Sequence, residues 1–301
     1  MAKVKFNFVI NKQANHYFFV QNLAEWHFSN RPKYNEIWIQ KIGSLSKKEK
    51  ASLNELEKIR KRYPESKSIF EKSFFLTEKP YENLEKELTK KEIQGVKKTM
   101  TLFENKFEVI FNEDLKLLEK WAEILRKGAN NSARNQKVVE KLEIFYKSPL
   151  KTDKTVTCYL LLNPEKISLG GGANIDKESI TTELSHFSFQ HADYVSSHKW
   201  HEAVHLVFEG DYFIPFLKKY LKNDSERVSM LKELINSSFF PRGILGNEIF
   251  KQKLAGSLYY RFPTSKNQTE QILSLSKDYL DNKKNIDIEY LDKLSLYLKN
   301  G

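Results

Sequence analysis

Cysteine is almost absent: Cys158 is the only one in 301 residues, so no disulfide can close within the chain. No apolar run approaches the roughly eighteen residues that a membrane-spanning helix needs. Glycine is scarce, with 11 residues, and no internal repeat or low-complexity segment is found. The N-terminus carries lysines but no continuous apolar core. Val4, Phe6, Phe8 and Ile10 alternate instead, which is a strand pattern and not that of a signal peptide. These absences point to the cytoplasm and exclude a disulfide scaffold or a helical membrane protein.

Charge is plentiful. The net charge is +11, yet lysines alternate with glutamates, as in Lys47-Lys-Glu-Lys and Glu85-Lys-Glu-Leu-Thr-Lys-Lys-Glu. That is the texture of solvated helix faces, and no basic-aromatic motif accompanies it, so nucleic acid is not the expected partner. The densest basic run, Arg60-Lys-Arg, is expected to close a helix, where cations suit the dipole.

Apolar spacing of three and four predicts helices over 14–29, 46–63, 80–112, 113–127 and 132–146. After a turn-rich connector at 147–154 the texture changes. Thr155–Leu162 reads as a strand ended by Asn163-Pro164, and Lys166–Leu169 as a second strand running into Gly170-Gly-Gly. Eight of the eleven glycines lie from Gly170 onward, and five of the seven histidines fall between His186 and His205. Helices are expected again over 197–209, 211–222, 224–238, 244–260, 266–280 and 286–299. The expected fold class is α+β, predominantly helical. A mostly helical N-terminal region, 1–150, would precede a chemistry-bearing domain, 151–301, with the first strand able to join the later sheet.

The chemistry centres on Trp200-His201-Glu202-Ala203-Val204-His205-Leu206-Val207-Phe208. Ser196 and Ser197 suit an N-cap, and Gly210 suits the position past the C-terminus. Trp200, Ala203, Val204 and Val207 form one stripe, so the helix should be half buried. His201 and His205 are four apart and project from one side, about 6 Å apart along the axis. Two imidazoles so spaced can converge on one tetrahedral zinc ion, and Glu202 can reach a water there without being a ligand. Glu209 continues the series but lies about 12 Å from His201 along the axis, too far for one ion on one rigid helix. It should stand behind the site or face solvent.

The arrangement resembles the zincin metallopeptidases, and more narrowly the gluzincins, over residues from about 166 to 252. The resemblance implies a zincin-like catalytic domain with one Zn²⁺ per chain and a third ligand, a glutamate, on a later helix. The metzincin extension is absent: Leu-Val-Phe-Glu-Gly-Asp-Tyr follows His205. Lys199 departs from the pattern, which has an uncharged residue there. Glu248 is the expected third ligand. Asn247-Glu248 is similar to the Asn-Glu pair of many gluzincins, and Ala255, Gly256 and Ser257 would allow close packing. Asp224 and Glu226 are the alternatives, in a setting that reads as a solvated helix start. The resemblance also implies a substrate-binding edge strand at Gly170, Gly171, Gly172, Ala173 and Asn174. Ala173 stands where the aminopeptidase branch carries the glutamate that holds a substrate's free amine, so endopeptidase action is expected. Tyr259, Tyr260, Arg261 and His198 are candidates to stabilise the oxyanion, and His186 and His191 to line the cleft. The expected partner is a peptide or protein substrate. The alternative is a zinc-containing regulatory or binding protein with little or no general proteolytic activity.

Overall fold

The computed structural model describes residues 2–25, 30–63, 68–129, 131–165, 170–172, 176, 178–185, 191–259 and 261–299. The chain is mostly helical with a small mixed sheet. In order it forms β1 (Val4–Val9), α1 (Lys12–Leu23), α2 (Pro32–Ile42), α3 (Lys47–Arg60), α4 (Ile69–Leu76), α5 (Pro80–Leu84), α6 (Lys90–Ala129) and α7 (Ser132–Phe145). Then come β2 (Lys154–Leu162), β3 (Gly170–Gly172), β4 (Ser179–Leu184), α8 (Ala192–Val207) and a π-helical turn, Glu209–Phe213. The last elements are α9 (Ile214–Tyr220), α10 (Ser225–Phe239), α11 (Ile244–Phe250), α12 (Lys266–Asp281) and α13 (Ile288–Lys299). No helix among the described residues is long and apolar enough to cross a membrane.

The chain divides into two compact units, but not at residue 150. One contains 1–7, 125–156 and 191–301, and the other contains 8–124 and 157–190. The change of texture near 150 marks the onset of strands, not a boundary between folding units. Helix α7 belongs with the C-terminal helices, because Phe145 packs on Phe239 and Tyr290 with ring centroids 4.7 and 5.3 Å apart.

In the second unit the long helix α6 supplies a seam: Ile93, Val96, Met100, Phe103, Phe107, Ile110, Leu117, Trp121. The three-four spacing runs unbroken past Asn112, so one helix of 40 residues forms where two were expected. Its start is set by a reciprocal cap: Glu92 N–H donates to Thr89 Oγ1, and Thr89 N–H donates to Glu92 Oε2. Helices α2 and α4 were not expected. Pro32 opens α2, and Tyr34, Asn35 and Trp38 are its buried residues. Arg60 closes α3, as expected, but it is buried, paired with Glu71 at 2.8 Å and 4.1 Å above the Phe70 ring.

The four strands pair in the order β1-β2-β4-β3, so β1 does join the sheet. Strand β2 runs parallel to β4 from Thr157 opposite Ser179 to Leu162 opposite Leu184, and β3 is antiparallel to β4. Asn15 ties α1 to β2 by donating to the Leu160 carbonyl and accepting from Leu162 N–H. Strand β4, Ser-Ile-Thr-Thr-Glu-Leu, is short and polar and was not foreseen.

His16 on α1 stacks on Phe107, centroids 4.6 Å apart. Loss of hydration lowers its pKa to about 4; Lys12 adds to this, while Glu108 and a backbone hydrogen bond at Met100 oppose it. The folded-state value lies below the unfolded one, so the unfolded chain takes up the proton first. Stability should fall as pH drops from about 6.5 and level off below about 4, by on the order of 3 kcal/mol. The difference in urea midpoint between the parent and His16→Phe across that window isolates the effect. Parallel pH profiles would count against it.

Candidate metal centre

Helix α8 begins at Ala192, earlier than Ser196 and Ser197 suggested. Asp193 lies in its first turn and pairs with Arg134 at 3.0 Å. Ser197 is an interior residue whose hydroxyl donates to the Pro241 carbonyl, 2.8 Å away. Trp200, Ala203 and Val204 of the stripe are fully buried, while Val207, at the end of the helix, is half-buried. Lys199 is buried as well, its ammonium 4.0 Å from the Phe6 ring centroid. That contact gives a charged residue a home on an inward face. The helix does not stop at Gly210 but passes into the π-helical turn, which carries Glu209.

Each histidine of the motif is held by its Nδ1. The His201 ring nitrogen lies 3.1 Å from the Phe240 carbonyl, which can only accept, so Nδ1 carries the proton. His205 Nδ1 lies 2.8 Å from Glu209 Oε2. Glu209 is therefore buried behind His205 and does not face solvent. Both Nε2 atoms turn toward one carboxylate. His201 Nε2 is 3.4 Å from Glu233 Oε2, and His205 Nε2 is 3.6 Å from Glu233 Oε1. The Asn236 amide also reaches His205 Nε2, at 3.0 Å, while donating to the His201 carbonyl at 2.7 Å.

Among the described residues, His201, His205 and Glu233 form the group able to hold a metal ion, with one donor atom from each within 4.8 Å of the others. Two donors at about 2.0–2.2 Å from a tetrahedral ion stand about 3.3–3.6 Å apart. The observed histidine-to-carboxylate distances lie close to that edge length. Tautomers fixed through Nδ1 leave Nε2 for the ion, and the Glu209–His205 pair is the carboxylate–imidazole support common behind metal ligands.

The electrostatics agree with a shared centre. Burial raises the pKa of Glu202; His201 and His205 pull it back and Glu233 adds to the rise, so Glu202 lies within the field of all three. Burial acts to raise Glu233 too, but hydrogen bonds from His201 and His205 hold it well below the usual carboxylate range. Burial lowers His205, yet the Glu209 carboxylate and hydrogen bonds to Glu209 and Glu233 outweigh it and push the ring to about 10. A protonated ring suits Glu233, whereas the Asn236 contact, which is shorter, suits a neutral ring with a free Nε2 lone pair. The amide at 3.0 Å, closer than Glu233 at 3.6 Å, presents Nε2 as an acceptor, and that lone pair is the one a proton or a metal ion would compete for.

Glu248 is not at this centre, contrary to expectation. It sits half-buried on α11, 3.3 Å from Lys141 Nζ and 3.4 Å from Lys277 Nζ. The helix is also shorter than 244–260: Lys251, at φ 57°, ends it, and Ala255, Gly256 and Ser257 lie beyond it in an irregular segment. Gly246 explains the close packing instead, since a Cβ there would overlap the Pro241 carbonyl. Asp224 caps α10 by accepting from Arg227 N–H, and Glu226 is exposed in its first turn. The carboxylate at the centre, Glu233, lies on this same helix, seven residues after Glu226. The signal for it is the uncharged run that follows, Leu-Ile-Asn-Ser-Ser-Phe-Phe, all buried.

Of the oxyanion candidates, His198 stacks on His201, centroids 6.2 Å apart, and Tyr259 bridges to Phe262. Arg261 adjoins that bridge in sequence, His191 is the exposed residue before α8, and Tyr260 and His186 lie outside the described residues. Gly170, Gly171 and Gly172 form the edge strand β3, while Ala173, Asn174 and the run Lys166–Leu169 lie outside the described residues. Gly170 has a packing reason of its own: a Cβ would overlap the Glu183 carboxylate, which accepts from Tyr34 Oη at 2.6 Å. No family model, curated protein or solved structure matches the chain.

Proposed function

We propose that this chain is a zinc-dependent peptide-bond hydrolase in which His201, His205 and Glu233 are the zinc ligands and Glu202 is the general base. The observation that carries the reading is the convergence of both Nε2 atoms on Glu233 at 3.4 and 3.6 Å, with each Nδ1 already committed. Two imidazoles and a carboxylate are a donor set of catalytic zinc, and bound there the ion would activate water and polarise a carbonyl. Glu202 is adjacent to a ligand in sequence, buried, and within the field of the other three groups. It takes the proton from the attacking water and passes it to the leaving amine as the C–N bond breaks. Ala173 supports cleavage within chains over removal of N-terminal residues, by the resemblance given above. A structural zinc site would call for a fourth protein ligand, whereas the group among the described residues has three members.

Zinc titration tests the reading. The chelator-stripped chain should take up one ion, and free zinc at 100 times its Kd should stabilise the fold by about 2.7 kcal/mol, several degrees in Tm. Hydrolysis of fluorescein-labelled casein should appear with the zinc and vanish with chelation. Uptake without hydrolysis would favour the regulatory alternative, and no uptake would dismiss both.

A further inference from the structure

The centre holds a cation that hydrolysis must account for. Lys232 Nζ lies 3.5 Å from Glu233 Oε1, the oxygen that is itself 3.6 Å from His205 Nε2. Its charge is felt at both His205 and Glu202. Lys232 and Glu233 are neighbours on α10 and start about 100° apart around it, but a four-carbon stem lets the ammonium swing back to the carboxylate. Exposure orders these residues. The Lys232 side chain is 27% exposed, that of Glu233 16%, and those of the two histidines 10% each. Lys232 is therefore the most exposed of the four side chains and the one most open to a substrate arriving from solvent.

A lysine in that position works against metal binding, because like charges repel. As a partner for Glu233 it would also be redundant once an ion neutralised the carboxylate. Its ammonium would then be free to donate to negative charge arising at the centre. In amide hydrolysis that charge arises on the carbonyl oxygen as water adds.

We propose that Lys232 is the oxyanion-stabilising catalytic residue of this site. The proposal rests on the hydrolase reading. Lys232 donates a hydrogen bond to the oxygen of the scissile carbonyl as the C–O bond to water forms, and releases it as the C–N bond breaks. It keeps its own proton throughout, while Glu202 carries the proton from water to the leaving amine.

The test uses the full chain loaded with cobalt(II), whose visible absorption reports the site, titrated with inorganic phosphate as a tetrahedral anion. Lys232→Met should take up cobalt at least as tightly as the parent and bind phosphate at least about tenfold more weakly, and Lys232→Arg should restore most of the difference. With zinc and fluorescein-casein, kcat of Lys232→Met should fall about 10²–10³-fold with KM within about threefold. Unchanged kcat or unchanged phosphate affinity would overturn the proposal. So would a change confined to KM, which would assign Lys232 to an anionic group of the substrate, and so would loss of cobalt uptake, which would assign it to holding Glu233. A parent chain that takes up no metal would instead overturn the hydrolase reading.

Discussion

Glu202→Gln should retain zinc at one ion per chain and lose hydrolysis by about 10²–10⁴-fold, the range a positioned general base supplies. The substitution keeps the shape of a residue that is buried at 8% exposure, so the packing of α8 survives. It also leaves His201, His205 and Glu233 untouched, and with them the hydrogen bonds to Phe240 and Glu209 that aim the two rings. What it removes is basicity. Burial raises Glu202 from the ordinary glutamate value, and the direction suits a base that must hold a proton in mid-reaction. Glutamine cannot take that proton at any pH near neutrality. His201→Ala, by contrast, should lose metal and activity together. Zinc content and casein hydrolysis of the purified variants separate the two behaviours. A glutamine variant as active as the parent would remove Glu202 from the mechanism, whatever the metal does.

Local features were the legible part of this sequence. The spacing His201-Glu202-x-x-His205 is contiguous, so one helix turn places both rings on one side. Strand β2 is a run of β-branched residues, Cys158, Tyr159 and leucines, with no charge after Lys154. The capping serine of α3, Ser46, is the expected start of its helix, and that of α12, Ser265, lies one residue before the expected start. Long-range choices were not legible. Glu233 and Glu248 are each one glutamate on one helix, and nothing local says which helix returns to α8. The Asn247-Glu248 pair and the small residues after it gave a plausible context, but they serve the short α11 and its exit. The compact units were not legible for a related reason: composition changes where strands begin, while compact units follow packing between distant segments such as α7 and α12. Distance along a helix alone takes Glu209 out of the ligand set but leaves open whether it stands behind His205 or faces solvent; its burial and its hydrogen bond to His205 depend on the π-helical turn that no residue pattern announced.

Zinc affinity should fall in a graded order when three carboxylates are removed one at a time. Glu233→Ala deletes one of the three proposed ligands, and the loss should exceed the about 10–100-fold that removal of a group behind a ligand produces; about 10³-fold or more is expected. Glu209→Ala removes the acceptor that orients His205 and should fall within that 10–100-fold range. Glu248→Ala removes two part-exposed ion pairs, to Lys141 and Lys277, each contributing at most about 1 kcal/mol to stability. Its effect on zinc should stay within about threefold. Competition with a chromophoric chelator measures all three affinities on one scale, and circular dichroism checks that each variant is folded. The order matters more than any single value, because helix α10 approaches α8 with Glu233 while α11 directs Glu248 to the lysines of α7 and α12. If Glu248→Ala lost zinc and Glu233→Ala kept it, the ligand set would be wrong. If Glu209→Ala had no effect, the Nδ1 contact at 2.8 Å would be packing rather than support for a ligand.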